Sequence, residues 1–524
     1  MQVKDYERPA VNPWLIAASM VLPTFMVVLD TSVANVALPH IAGSLSASTD
    51  EASWVLTSYL VANAIILPAT AWFSAYFGRK RFLMTSIVAF TLASAASGAA
   101  TSLGMLVVAR VVQGASGGAL LPISQAVLLE SFPPEERGQA MAAYAVGVIV
   151  APIVGPALGG WITDNYTWRW IFYINVPVGA LALAMTKVFI EDPAYIRQMK
   201  AGKLDYAGFA LMALGLGTLQ VVLDKGQQDD WFSAAWIVWF TALSGVSLVL
   251  FVIWEMRVRE PIVKLRIFAN RNFSVGVLMA TAYGVILYST LLILPLFLED
   301  LMDYPALESG LAISPRGIGA MFSAVVSGRL LKKKLDERIL IASGFLLLAW
   351  ASHLLGGINL QITAWNVAVP NVIMGVAMGM IFVPLTTITV GMLEKEEIGT
   401  ATGLYTLLRN MGGSIGIAVV TTLLARRAQV HQNIMAAHLA PFGREFQQVL
   451  HSVQAKFQML NDPYTAASRA RAFIYQMLGQ QATLLAYMDN FRFLGLLALT
   501  VVPLTFLLRK KPGRKKDSHP FPSE

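Results

Sequence analysis

Apolar runs of about 20 residues recur along the whole chain, separated by short polar stretches. A run of that length has the reach of a helix through a hydrocarbon layer about 30 Å thick, where only a helix or a closed barrel satisfies its own backbone. The pattern predicts fourteen helices, over 14–37, 52–74, 82–102, 105–129, 139–163, 169–190, 206–224, 234–256, 273–298, 306–331, 338–358, 364–392, 398–425 and 490–509. The seventh is the weakest, because Gly208, Gly215 and Gly217 thin it.

The polar stretches alternate in sign. One set carries Arg79-Lys80-Arg81, Arg137, Arg197 with Lys200 and Lys203, the 257–271 group, Lys332-Lys333-Lys334 and the tail from Arg509 to Lys516. The other carries Asp50-Glu51, Asp164, Asp229-Asp230, Glu299-Asp300 and Asp303. Basic loops stay on the cytoplasmic side, so an even number of spans and two cytoplasmic termini are expected. The polar start, 1–13, lacks a small-residue cleavage site, and the first apolar run reads as an uncleaved span. One outward connection, 426–489, is longer than a connection requires. It shows two helical-looking pieces, 442–458 and 465–481, parted by Asn461-Asp462-Pro463. It reads either as a docking surface for a periplasmic partner or as a solvated insertion.

Composition agrees with an all-α integral membrane protein: 56% of residues are hydrophobic and 13% charged. The chain has no cysteine, which excludes disulfides, thiol catalysis and cysteine-held metals. The net charge of +8 lies in alternate loops rather than on one patch, so it is no nucleic-acid signal. No Gly-x-x-x-x-Gly-Lys-Ser/Thr loop is present, which removes ATP as a direct energy source and leaves an ion gradient. No cofactor and no enzymatic activity are expected.

The chain also repeats itself. Pro134-Glu135-Glu136-Arg137-Gly138-Gln139-Ala140, with Tyr144 and Gly155, matches Lys395-Glu396-Glu397-Ile398-Gly399-Thr400-Ala401, with Tyr405 and Gly416, at a constant spacing of 261 positions. Helices 1–6 thus correspond to helices 9–14, with helices 7 and 8 inserted. The expected division is a first six-helix half over 1–190, an inserted pair with its linkers over 191–271, and a second half over 272–524. Two like-oriented halves around a midplane cavity form an architecture that rocks between two open states.

Charges inside apolar helices carry the chemistry. Asp30 lies about 16 residues into the first helix, where an ionised carboxylate costs several kcal/mol unless paired, protonated or wet. It reads as a proton- or cation-handling group. Arg110, about five residues inside helix 4, falls at comparable depth and could pair with it or expel its proton. Helix 5 carries Pro152, Gly155, Pro156, Gly159 and Gly160, which predicts a kinked, closely packed helix suited to a seal. Its counterpart keeps Gly412, Gly413 and Gly416 without proline. Asn35, Tyr59, Asn63, Gln113, Gln125, Asn371 and Arg409 are candidate cavity residues for greasy, partly polar molecules. Arg316 and Arg409 read as structural or gating cations. Glu130 and Glu255, near helix ends, read as solvated. Gly78, Arg79 and Lys80 form a hinge turn on the cytoplasmic side.

The run Leu29–Pro39, the run Arg110–Gly114 and Gly155-Pro156-x-x-Gly159-Gly160 resemble three signatures of the major facilitator drug:proton antiporters, the last being the antiporter motif. Trp168–Gly179 is similar to the helix 6 entry of the fourteen-span branch, and with the long segment before helix 14 the chain is most similar to EmrB-type exporters. The resemblance implies a 6+2+6 major facilitator fold and proton-coupled multidrug efflux from a bacterial inner membrane. It implies proton coupling at Asp30, assistance from Arg110, and control of leak and direction by Pro156 and its glycines. It further implies a tripartite pump, with an EmrA-like periplasmic adaptor and a TolC-like outer-membrane channel. The alternatives are a small-metabolite importer on the same scaffold and a stand-alone exporter without adaptor. Ala71 and Ala75 stand where the family's cytoplasmic turn motif has Gly and Asp, so another latch is expected there.

Overall fold

The computed structural model describes residues 11–193, 196, 204–438, 443–459 and 462–509. The basic positions Arg197, Lys200 and Lys203, residues 510–516 of the tail, and Asn461 lie outside the described residues. Among those described, every regular element is helical, and fourteen helices are long and apolar enough to cross a membrane.

In chain order these are α1 (Pro13–Ser44), α2 (Thr49–Phe77), α3 (Arg79–Gly98), α4 (Leu103–Ser131), α5 (Arg137–Asn165) and α6 (Trp170–Phe189). The inserted pair is α7 (Tyr206–Lys225) and α8 (Ala235–Arg257). Then come α9 (Arg271–Leu296), α10 (Pro315–Lys332), α11 (Glu337–Leu355), α12 (Ala364–Thr389) and α13 (Lys395–His438). An amphipathic helix, α14 (Arg444–Gln458), precedes the last span, α15 (Pro463–Val501). The glycine-thinned α7 is a full span, and it begins on Asp205, whose carboxylate accepts the Gly208 N–H.

The packing partners recur eight helices apart. In the first half α1 packs on α5 and α2 on α4; in the second, α9 packs on α13 and α10 on α12. The sequence repeat is therefore also a repeat of neighbours. Across the halves, α5 packs along α10, and α2 and α4 touch α13.

Two boundaries differ from expectation, and both matter. Helix α1 runs on to Ser44 with Pro39 inside it, so Asp30 sits near the middle of the helix rather than towards its outer end. The 426–489 segment is not a loop. Helix α13 continues unbroken to His438, and α15 already starts at Pro463. Hydropathy ended these helices where the membrane ends, but residues 417–438 contain neither Gly nor Pro and carry good helix formers, so the backbone has no reason to stop. Asp462 caps α15 by accepting the Tyr464 and Thr465 N–H groups, with Pro463 in the first turn. The result is a helical projection of α13, α14 and α15 beyond the bilayer, joined at its base by His431 Nε2 to Asp489 at 2.9 Å.

Helix α7 and the turn that follows it touch both α2 and α13, while α8 packs mainly on α7. On one side, Thr57 and Ser53 of α2 hydrogen-bond with Asp224 and Lys225 of α7. On the other, Gln220 bonds Ser414 of α13 at 3.0 Å, and the Trp231 indole N–H donates to Thr422 at 2.9 Å.

Candidate functional site: a buried carboxylate held by three helices

Four apolar helices meet around Asp30, which is 2% exposed. Arg110 of α4 donates one guanidinium N–H to Asp30 Oδ2 at 2.6 Å. Gln113, one turn further along α4, donates to Oδ1 at 2.8 Å and accepts from Arg110 at 2.8 Å. Asn175 of α6 donates to the same Oδ1 at 2.7 Å. Arg110 Nε reaches the Val55 carbonyl at 3.1 Å, and the guanidinium lies over the Tyr59 ring, 4.2 Å from its centroid. The Asp30 carboxylate thus accepts three hydrogen bonds, which offset much of the cost of a charge pair in so dry a place, while Arg110 Nη2 stays buried without a partner.

The local sequence explains the meeting. Gly114 has no room for a Cβ, because the Tyr59 backbone passes there; this contact brings α2 against α4 and lays Tyr59 over Arg110. Asn175 begins a helix after a break at Ile174 in α6, and Ser94 of α3 steadies its amide, accepting from Asn175 at 3.0 Å and donating to the Phe172 carbonyl at 2.8 Å.

The expected antiporter-motif residues come to the same place. Gly155 lies against the Ser32 side chain, and Gly159 against Val33, so α5 presses on α1 within one turn of Asp30. A Cβ on Gly160 would meet nothing, so Gly160 is not required for that contact. Prolines 152 and 156 sit inside a continuous α5.

The proposed cavity residues divide. Tyr59 and Gln113 belong to the charge cluster. Asn371 accepts from Arg316 Nε at 2.9 Å, and Thr290 of α9 takes a second guanidinium N–H at 3.3 Å. Asn371 lies 261 positions after Arg110, so the second half keeps a polar cluster at the equivalent place, with a cation but without a carboxylate. Gln125 of α4 faces Thr406 of α13 across the halves, at 3.4 Å, and its amide nitrogen is buried without a partner. Arg409, 2% exposed, has its guanidinium 5.5 Å from the Phe382 ring and a buried Nε without a partner. Asn63 is partly buried where α2 crosses Gly118, and Asn35 is exposed.

The turn residues act through carboxylates that hydropathy misjudged. Glu130, expected in solvent, is buried in a two-pronged pair with Arg79, at 2.8 and 3.0 Å. Glu255 is also buried, at 4% exposure. Asp192 accepts the Lys80 backbone N–H at 2.7 Å, and Lys80 Nζ reaches the Lys187 carbonyl. Between the halves, on the side of the basic loops, Arg137 donates to the Gly391 carbonyl and Lys332 pairs with Glu136 at 2.9 Å. Ala71 and Ala75 line a cavity of about 290 Å³ there, with Gly399, Thr400 and Lys395 opposite. Ala71 faces Gly399 across this space, where a Cβ added to Gly399 would stand 3.7 Å from that of Ala71, so neither side chain supplies a charge there.

Asn175 is the partner of Asp30 that the sequence reading passed over. It stands inside the Trp168–Gly179 run, and its signal is an amide near the start of an apolar helix.

The sequence pattern of the Major Facilitator Superfamily matches residues 20–417. The chain belongs to that superfamily. Within it, the chain is 37% identical to the multidrug export protein EmrB of Haemophilus influenzae over 488 residues, which is 92% of this chain and 94% of that one. It is 36% identical to EmrB of Escherichia coli K12, covering 91% of each chain. The fatty acid resistance protein FarB of Neisseria gonorrhoeae is 36% identical, over 94% of this chain and 96% of its own length. The crystal structure of the human organic anion transporter MFSD10 (TETRAN) shares the fold, with a TM-score of 0.61 at 14% identity, covering 93% of this chain and all of that one. As a superfamily member with fourteen spans, this is a multi-pass membrane transporter.

Proposed function

We propose that this protein exports hydrophobic and amphipathic compounds across a bacterial inner membrane, in exchange for protons, by alternating access. The observation that carries the reading is Asp30: a buried carboxylate that accepts three hydrogen bonds, one of them from a cation that can compete with a proton for it. The names of the relatives, multidrug export and fatty acid resistance, support the substrate class.

In this reading the structure corresponds to the deprotonated state. Proton arrival neutralises Asp30 and weakens its hold on Arg110, which then keeps only Val55, Gln113 and the Tyr59 face. Repacking of α1 against α4 and α5 is the step that tilts one half on the other. One proton moving down about 100 mV supplies about 2.3 kcal/mol, enough for roughly a 50-fold solute gradient. Substrate passes between the halves, where Gln125, Arg409 and the ring of Phe382 offer polar and flat apolar surface together. The basic loops face the cytoplasm, with both termini. The projecting helices α13 to α15 stand on the opposite side and meet a periplasmic adaptor, which leads to an outer-membrane channel.

The deciding experiment uses purified protein in liposomes with an imposed pH gradient and a panel of lipophilic dyes and acids. Gradient-driven uptake that disappears in Asp30→Asn while that variant still exchanges substrate without a gradient supports the reading; uptake that persists at full rate in that variant sinks it. Removing residues 430–480 tests the adaptor: a pump that works in a tripartite assembly loses export to the medium while liposome transport survives.

A further inference from the structure

Pro156 has no backbone N–H. In an α-helix, residue 156 is the donor for the carbonyl of residue 152, so that carbonyl is left without its helical partner. Ser32 takes the place of the missing donor: its Oγ donates to the Pro152 carbonyl at 3.2 Å, from α1 across to α5. Gly155 makes the approach possible, since any Cβ there would collide with the Ser32 side chain. Thr31, next in line, bonds only its own helix, at the Val28 carbonyl. Two positions from the proton-handling carboxylate, a single side chain therefore ties α1 to the proline-bearing helix α5.

That helix is also one of those through which the first half meets the second, since it packs along α10. Ile153, beside the bonded carbonyl, packs where Gly317 of α10 leaves space; a Cβ on Gly317 would lie 2.8 Å from Ile153 Cδ1. Gly317 follows Arg316, which reaches Thr290 of α9 and Asn371 of α12. From the α1 segment that bears Asp30, contacts run from Ser32 to Pro152 and, through the adjacent Ile153, to Gly317 of the second half.

We infer that Ser32 is a positioning residue for coupling: by filling the bond that Pro156 leaves open, it makes the α1 segment bearing Asp30 move together with α5. The inference rests on the proton-coupled reading above. It explains why a proline in α5 serves exchange: the ring exposes an acceptor that only the neighbouring helix can satisfy, so the two helices are fastened by a polar bond at one point and by smooth glycine contact elsewhere.

The test is a double-mutant cycle in liposomes, scored by gradient-driven transport against pH, by substrate exchange without a gradient, and by thermal stability. Ser32→Ala lowers gradient-driven transport about tenfold and moves its half-maximal pH by about one unit, while exchange and melting temperature stay near wild type. Ser32→Thr, which keeps the donor, retains coupling. Pro156→Ala restores the N–H; on that background Ser32→Ala has no further effect, because the Pro152 carbonyl already has a donor. A wild-type pH profile in Ser32→Ala, or independent, additive effects of the two substitutions, overturns the inference. A Ser32→Ala protein that fails to fold, but is not rescued by Pro156→Ala, overturns it as well. If Asp30→Asn keeps gradient-driven transport, the proton-coupled reading itself falls; if Asp30→Asn loses it and the cycle shows no coupling, only the role of Ser32 falls.

Discussion

At the scale of single residues, the cluster around Asp30 sets conflicting demands on any substitution. From sequence, Asp30→Asn is expected to leave folding intact. The geometry changes that expectation, because neutralising the carboxylate strands the Arg110 guanidinium in a place with no other carboxylate in contact among the described residues. Breaking a buried pair in this way costs about 3–5 kcal/mol, whereas replacing both charges is far milder. Asp30→Asn should therefore melt well below wild type, and Asp30→Asn with Arg110→Gln should recover most of that loss while staying inactive. Thermal unfolding in detergent, beside liposome transport, separates the two effects. Gly155→Ala is a second case: the added methyl meets Ser32, and overpacking of this kind costs about 1–3 kcal/mol. Gly160→Ala, which meets nothing, should be near neutral in the same melt.

Among whole helices, the inserted pair α7–α8 and the projecting helices behave unlike simple additions. Gln220 and Trp231 tie the pair to α13, and Asp224 and Lys225 tie it to α2, so it must yield whenever the halves separate on that side. Trp231→Phe removes the indole N–H that Thr422 and Gln227 share while keeping an aromatic ring in place, and should lower stability by about 1 kcal/mol or somewhat more, read as a reduced melting temperature. The projection depends on the start of α15. The Thr465 side chain and the backbone N–H groups beside Asp462 hold its carboxyl below the ordinary aspartate range. A carboxyl lowered in the folded state stabilises fully above its unfolded value, about 3.9, and that contribution disappears as pH falls through the lowered folded value. Asp462→Ala should fray the start of α15 at neutral pH, seen as faster proteolysis between α14 and α15, and the difference from wild type should vanish in strong acid.

For the molecule as a whole, the halves are closed on the side of the basic loops. Gly138 meets Leu331, Gly403 meets the Leu67 carbonyl, and a Cβ on Gly399 would stand 3.7 Å from that of Ala71. That separation suits a disulfide, whose Cβ atoms are typically about 3.5–4.5 Å apart. The natural chain has no cysteine, so Ala71→Cys with Gly399→Cys introduces a single pair. Oxidation should cross-link it and stop transport by holding this side shut, and a reductant should restore activity. Full transport with the bridge intact would show that α2 and α13 need not part here. Arg137 and Lys332 add polar bonds at the same end. Together with close packing they bridge the halves at the end where Ala71 and Ala75 offer no charge.

Much of this protein is set by local pattern. Fourteen spans, the eight-helix recurrence of neighbours, and the matched depth of Asp30 and Arg110 all follow from hydropathy, loop charge and a 261-position repeat. These signals survive because lipid forces each helix to satisfy its own backbone, leaving the apolar length as a direct record of the fold. The tertiary structure decided what those local signals do not encode. Glu130 and Glu255 looked solvated because sequence shows the depth of a residue, not the face it turns to its neighbours. Gln113 and Asn175 proved to be partners of Asp30, since contacts among α1, α4 and α6 join residues up to 145 positions apart. The 426–489 segment looked like a loop because hydropathy measures the end of the membrane rather than the end of a helix. Which donor fills the place left by Pro156 was likewise decided only when α1 and α5 came together, because a proline removes a bond locally and its replacement arrives from another helix.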